Sequence, residues 1–289
     1  MRSLGTVFLS VVLVFATSSC SVNILENFAD KTTNGALYEE AIKKINNADY
    51  DGAIADIAKM KGSFAATDKV TSLKASAYGG RCGLVFLDFV SALGGIGTTR
   101  LFPFLLAEFV GASSSKIDDC VTAQNLIQSI GTVAERSNDD NMFIALLEMA
   151  KLGKILTYYA DVAQTGTVTA AYDPCLVGGP PRPAAGGNIS DVDAAEFGAG
   201  IAIIVENLTA LAGAVDLGSG TLTDVSALCA SLGVLGAAYN FCTVTDPALY
   251  TANHILAVRS LILEGSAIGL QGGACPVAGD VTNPACRCF

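Results

Sequence analysis

The stretch GALYEEAIKKINNADYDGAIADIAKMKG (35–62) carries two apolar stripes at helical spacing, parted by a polar break. Leu37, Ala41, Ile42 and Ile45 fall on one helical face. Ala53, Ile54, Ile57 and Ala58 form another, with NNAD (46–49) between them. Two amphipathic segments joined so tightly are expected to fold back as a helical hairpin. The period-two alternation of a half-buried strand is almost absent from the rest of the sequence. The chain is therefore expected to be all-α, with nine or ten helices.

Working outward, DKVTSLKASAYGGRCGLVFLDFVSALGG (68–95) reads as one long helix, polar-sided at first and apolar nearly all round from Leu84 to Val90. A helix apolar on every side belongs in the centre of a fold or in a membrane; Arg81, Asp88 and the glycines argue against a span. EFGAGIAIIVENLTALAGA (196–214) reads much like it. Setting Asp88 against Glu206 aligns Gly80 with Gly198, Leu93 with Leu211 and Gly95 with Gly213. The following segments also correspond: NLIQSIGTVAER (125–136) with ASLGVLGAAYNF (230–241), and DDNMFIALLEMAKLGKIL (139–156) with TDPALYTANHILAVRSLIL (245–263). The pattern points to a degenerate duplication over 78–160 and 195–267, with 96–115 as an extra helix in the first copy; alanine-rich amphipathic helices that align by composition are the alternative. A first helical half (35–165) and a second (194–272) are joined by 166–193, whose YDPCLVGGPPRPAAGGNISDVD (172–193) is too rich in Pro and Gly for a helix. A connection of this length is either mobile or tied down, with Cys175 as a candidate tie. Residues 273–289 form a Cys-rich tail.

The N-terminus has three zones: the lone basic Arg2, an apolar run VFLSVVLVFA (7–16), and the small-residue patch TSSC (17–20). That is the layout of a secretory signal over 1–19, and the run is shorter than the roughly 20 residues that cross a bilayer. TSSC resembles a bacterial lipobox, with Thr17 where Leu, Val or Ile is usual. The resemblance implies lipidation of Cys20, a palmitate-bearing membrane anchor, and a tether over 20–34. A plain cleaved signal is the alternative. Of nine cysteines, setting Cys20 aside leaves eight: Cys82, Cys120, Cys175, Cys229, Cys242, Cys275, Cys286 and Cys288. An even number in an exported chain fits disulfides, in a pairing that sequence leaves open. Zinc fits less well, because Cys286-Arg-Cys288 is too closely spaced and the single histidine, His254, has no ligating neighbours.

With a net charge of −10, 51% hydrophobic residues, 15% charged and no Trp, the chain is a poor match for nucleic acid or for electrostatic docking on anionic lipid. Catalytic templates are missing. GAGIAI (198–203) lacks the third glycine of a dinucleotide loop, GGIGTTR (94–100) lacks the Lys-Ser/Thr of a phosphate loop, and one histidine cannot complete a relay. No cofactor, metal site or enzymatic activity is expected. Asp88 and Glu206, acids within apolar helices, are candidates to line a ligand cavity together with Phe86 and Phe89. Solvated edges for the acids and core packing for the aromatics (Phe102, Phe104, Phe109, Tyr158 and Tyr159 among them) are the alternatives.

In ADYDGAIADI (48–57), the turn into the second helix and the pair Ala53-x3-Ile57 resemble a tetratricopeptide repeat; Glu40, Lys44 and the missing closing Pro depart from it. Taken with TSSC and AYGGRCGLVFLDF (77–89), the chain resembles the TPR-like outer-membrane lipoproteins of Gram-negative bacteria, and among them the TatT-type components associated with tripartite ATP-independent periplasmic transporters. The resemblance implies helical hairpins stacked as a superhelix or bundle, anchored to the outer membrane and facing the periplasm. It implies a non-catalytic scaffold for another envelope protein. A carrier for a small hydrophobic solute is the second reading.

Overall fold

The computed structural model describes residues 32–176, 178–182, 185–207, 227, 229, 230, 232, 236–263, 268–270 and 288. Among them are ten α-helices and no strand. The helices are α1 (Asn34–Asn46), α2 (Tyr50–Ile57), α3 (Gly62–Ala65), α4 (Asp68–Cys82), α5 (Phe86–Gly94), α6 (Leu101–Glu108), α7 (Ser114–Gln128), α8 (Asn138–Ala160), α9 (Asp191–Glu206) and α10 (Ala252–Leu263). No described helix is long and apolar enough to cross a membrane. The proposed signal, Cys20, Cys275 and Cys286 lie outside the described residues.

The expected hairpin forms. Thr33 caps α1 by accepting from the Ala36 amide, and Asp49 caps α2 by accepting from Gly52. Leu37, Ala41, Ala53 and Ile57 meet Met60, Val70, Leu73 and Ala77 in a small core of their own against α4. The hairpin is fastened to the body at its turn. The Tyr50 ring lies on Gly80, where an added Cβ would stand 2.1 Å from it. Arg81 donates to both Asp119 oxygens (2.9 and 2.6 Å) and to Asp51 (2.7 Å), joining α2, α4 and α7 beside the Cys82–Cys120 disulfide. Both carboxylates favour the charged guanidinium and push its pKa up.

Three expectations about helix extent need correction. The segment 68–95 is two helices, because Gly83 ends α4 in the left-handed region (φ 116°) that side chains disfavour. Gly198 lies inside α9, which runs on unbroken to Glu206, so the segments aligned as copies differ in local structure just past the aligned glycines. Each of those glycines nonetheless receives a tyrosine ring: Tyr50 on Gly80, Tyr250 on Gly198. The helix expected over 125–136 stops at Gln128. Glu135 folds back to take the Thr132 amide (2.8 Å) and hydroxyl (2.9 Å), which caps α8's approach rather than continuing α7.

The centre of the fold also differs from expectation. The all-round apolar segment near Leu84–Val90 lies at an edge, with Leu87 77% exposed. The central element is α8, in which every residue from Ile144 to Ala160 is buried. It takes α7, α9 and α6 around it. Ile127, Ile144 and Ile203 pack at one end, Phe102 meets Phe197 edge-on at 5.1 Å, and Phe109 covers Gly153.

The connection between the halves is tied down. Arg259 of α10, 1% exposed, donates to the carbonyls of Pro174 (2.8 Å), Leu176 (2.8 Å) and Ile189 (2.7 Å), and to Asp191 (2.8 Å). Cys175 is bonded to Cys288, and Cys229 to Cys242. Arg182 reaches from the connection to the Ser114 carbonyl and Asp118 on α7 and to the buried Asp193 (3.0 Å) on α9. Three of a guanidinium's acceptors are thus main-chain carbonyls that no lysine could serve from one position. Arg259→Met is expected to lower unfolding stability by about 3 kcal/mol, since it strands buried carbonyls. Limited proteolysis of the non-reduced protein should then cut within 172–190, where the wild type resists.

Candidate functional site

Among the described residues, α1 has open space on both flanks. A groove of about 1120 Å3 is lined by Asn34, Leu37, Glu40 and Lys43 of α1 and, across from them, by Asp56, Lys59 and Lys61. A second hollow of about 460 Å3 lies between α1 (Tyr38, Ile42), α4 (Lys69, Ser72, Ser76) and the start of α8 (Asp140). Ile42 borders both. Asn34 closes one end of the larger groove: its amide donates to the Lys61 carbonyl and accepts from the Lys61 N–H, both at 2.9 Å.

Within the groove Asp56 holds two cations, Lys44 at 2.5 Å and Lys59 at 2.7 Å. Burial works to raise the Asp56 pKa, but the two lysine hydrogen bonds outweigh it and hold the carboxyl below its usual range. The same bond raises Lys44. Lys43 stands 3.9 Å from Glu40, both side chains well exposed, so the pair contributes little. The groove therefore offers lysine ammoniums, asparagine amides and a short apolar floor to an outside chain.

The residues singled out by sequence do not converge. Asp88 sits exposed in the first turn of α5, and Glu206 sits exposed at the last residue of α9. Phe86 is half-buried, while Phe89 is buried 4.8 Å edge-on from Phe109 and 6.2 Å in a stack with Phe104. These rings fill the core; they do not line either hollow. His254 caps its own helix: Nδ1 accepts from the Thr251 amide, Thr251 Oγ1 accepts from the His254 amide, and burial lowers the imidazole pKa. Of the cysteines, six are paired as described above. No cluster of His, Cys, Asp and Glu suited to a metal ion occurs among the described residues.

Sequence reading missed the buried charges of α8. Glu148 and Lys151 have no solvent exposure. The Lys151 ammonium donates to Gln124 of α7 (2.5 Å) and Glu196 of α9 (3.2 Å), and stands 2.7 Å from Glu148. Neither oxygen of Glu148 accepts an aligned hydrogen bond. One helical turn on, Lys154 donates to the Val110 carbonyl at 2.8 Å; burial, with Lys116 adding to it, lowers its pKa to about 8. Val85, Leu87, Val110, Val162, Leu176 and Val192 are all more than 40% exposed. The signal that could have located the cluster is Glu148-x2-Lys151 inside a run with no exposed position, a spacing that pairs charges on one helix face.

Close approach of α9 to this cluster depends on Gly200, where a Cβ would lie 2.8 Å from Glu148 Oε2 and 3.1 Å from Leu152. Gly200→Ala is expected to lower stability by about 1–3 kcal/mol through overpacking, read as a shift in denaturant midpoint with unchanged slope. Compared with known proteins, the chain matches no family model, no curated protein and no solved structure.

Proposed function

We propose that this protein is a non-catalytic helical scaffold of the cell envelope that holds another envelope protein along α1. The observation that carries the reading is the pair of hollows flanking that helix, about 1120 and 460 Å3, in a fold whose centre is otherwise closely packed. The larger exceeds the roughly 300–1,000 Å3 common for small-molecule sites and is walled by one helix and one loop, which suits a segment of polypeptide. Its lining sets Lys43, Lys44, Lys59 and Lys61 among Glu39, Glu40 and Asp56, a nearly balanced mix that favours a segment carrying side chains of both signs. The hairpin α1–α2 laid on α4 is the unit from which a TPR-like stack is built, and this is the sense in which a superhelical scaffold is proposed.

Attachment through lipid on Cys20, facing the periplasm from the outer membrane, belongs to the same proposal. The three disulfides fit an oxidising compartment. A carrier for a hydrophobic solute is less well supported, since the aromatics that would line its cavity pack against one another and the groove walls carry charge.

Two measurements test the reading. A photo-crosslinking residue at Lys43 or Lys61 is expected to give one protein adduct in the native envelope, absent from a control at exposed Leu249 and reduced at least fivefold by Lys43→Glu with Lys61→Glu in the partner site. Equal adducts at all three positions would remove the groove from consideration. Palmitate labelling is expected in the wild type and lost in Cys20→Ala, together with membrane retention.

A further inference from the structure

Lys151 is one cation facing two carboxylates, Glu148 and Glu196, in a space closed by three helices. If both acids were ionised the cluster would carry a net charge of −1 with Glu148 wholly out of water, an arrangement that low-dielectric surroundings penalise heavily. The geometry distinguishes the two acids. Glu196 retains 13% side-chain exposure and accepts an aligned hydrogen bond from the Lys151 ammonium at 3.2 Å. Glu148 has no exposure, and neither of its oxygens receives such a bond, although the ammonium lies 2.7 Å from Oε2. The α9 backbone closes over that oxygen at Gly200, where an added Cβ would stand 2.8 Å from it and 3.1 Å from Leu152. Lys151 and Glu196 alone make a neutral pair, completed by the uncharged amide of Gln124.

We propose that Glu148 holds a proton in the folded protein at neutral pH, and that this proton is a pH-sensitive latch keeping α9 against α8. Losing it places a second negative charge against the backbone of α9 at Gly200, with the single cation, Lys151, shared between two carboxylates. The groups facing Glu148 are Lys151 on its own helix, Glu196 of α9 and neutral Gln124 of α7; Tyr250, from the turn before α10, faces Glu196 and stays protonated because burial and that carboxylate both raise its pKa. Burial, the largest influence on Glu148, raises its pKa; Lys151 opposes this and Glu196 adds to it. Lys151 is desolvated as well; the Glu196 carboxylate and the Gln124 amide oxygen are the acceptors that hold its charge when Glu148 is protonated.

The direction of the effect follows from linkage. A carboxyl whose folded pKa lies above its unfolded value stabilises the fold fully below the unfolded value, near 4.5, and that stability is lost as pH rises through the folded value. Between the two values the folding constant falls by up to about tenfold per pH unit for one proton, and above the folded value it levels off. Glu148→Gln mimics the protonated acid and removes the titration. Lys154, near 8, is common to wild type and variants and cancels in the ratio between them.

The test is urea unfolding of the full chain, disulfides intact, for wild type, Glu148→Gln and Glu196→Gln across pH 5–8. The wild-type folding constant is expected to fall relative to Glu148→Gln as pH rises, about a hundredfold in all, while Glu196→Gln flattens the decline by leaving Lys151 to Glu148 alone. Amide exchange over 198–204, corrected for intrinsic rates, should accelerate with pH in the wild type and not in Glu148→Gln. A constant ratio between wild type and Glu148→Gln across the range would overturn the proposal. So would a Glu148→Gln protein that fails to fold, or whose deficit grows with pH, because Glu148 would then be serving as the anion that Lys151 requires.

Discussion

Burying a lysine at the middle of α8 is the constraint around which the body is arranged. A desolvated ammonium must be met by acceptors, and Lys151 draws one from α7 and one from α9, with Glu148 of its own helix 2.7 Å away. The two acceptors set which helices can be neighbours of α8 and at what register. Apolar packing alone would leave the register loose, since many of the contacting residues are alanine, isoleucine and leucine of interchangeable shape. The polar pairing selects one alignment, and Gly200 supplies the room it needs.

A second layer of fixation comes from two arginines that bind backbone, Arg259 in α10 and Arg182 in the connection. Both use the several donors of a planar guanidinium to satisfy groups that an irregular segment cannot pair by itself. A stretch rich in proline and glycine is thereby made part of the core wall, with Tyr172 and Ile189 buried in it. The contrast with α1 is instructive. The hairpin has its own small core and a single polar fastening at Arg81, so its outer helix keeps space on both sides.

Much of the fold was legible in residue spacing. The hairpin over 35–62 and the irregular stretch that begins at Tyr172 follow from local rules about periodicity and turn residues. What spacing could not convey was which helix is central. Hydropathy pointed to Leu84–Val90 and away from α8, because Glu148, Lys151 and Lys154 look like a solvated face until their partners on other helices are known. The same blindness affected Asp88 and Glu206, whose apolar surroundings in sequence said nothing of the solvent beside them in space. Disulfide pairing and the role of Arg259 are long-range facts, set by topology and not by neighbours.

The three disulfides among the described residues differ in how much chain must exist before each can close. Cys229 and Cys242 are 13 residues apart and Cys82 and Cys120 are 38, whereas Cys175 waits for a partner 113 residues later. As the chain is made from its N-terminus, the first two pairs are complete before residue 288 is added, and the third is not. Loop closure over that distance carries a larger entropic cost, so it gains from a body already assembled around α8. This long-range bond would then act as a completion mark: an oxidised Cys175–Cys288 pair reports that both halves and the segment between them have already found their places.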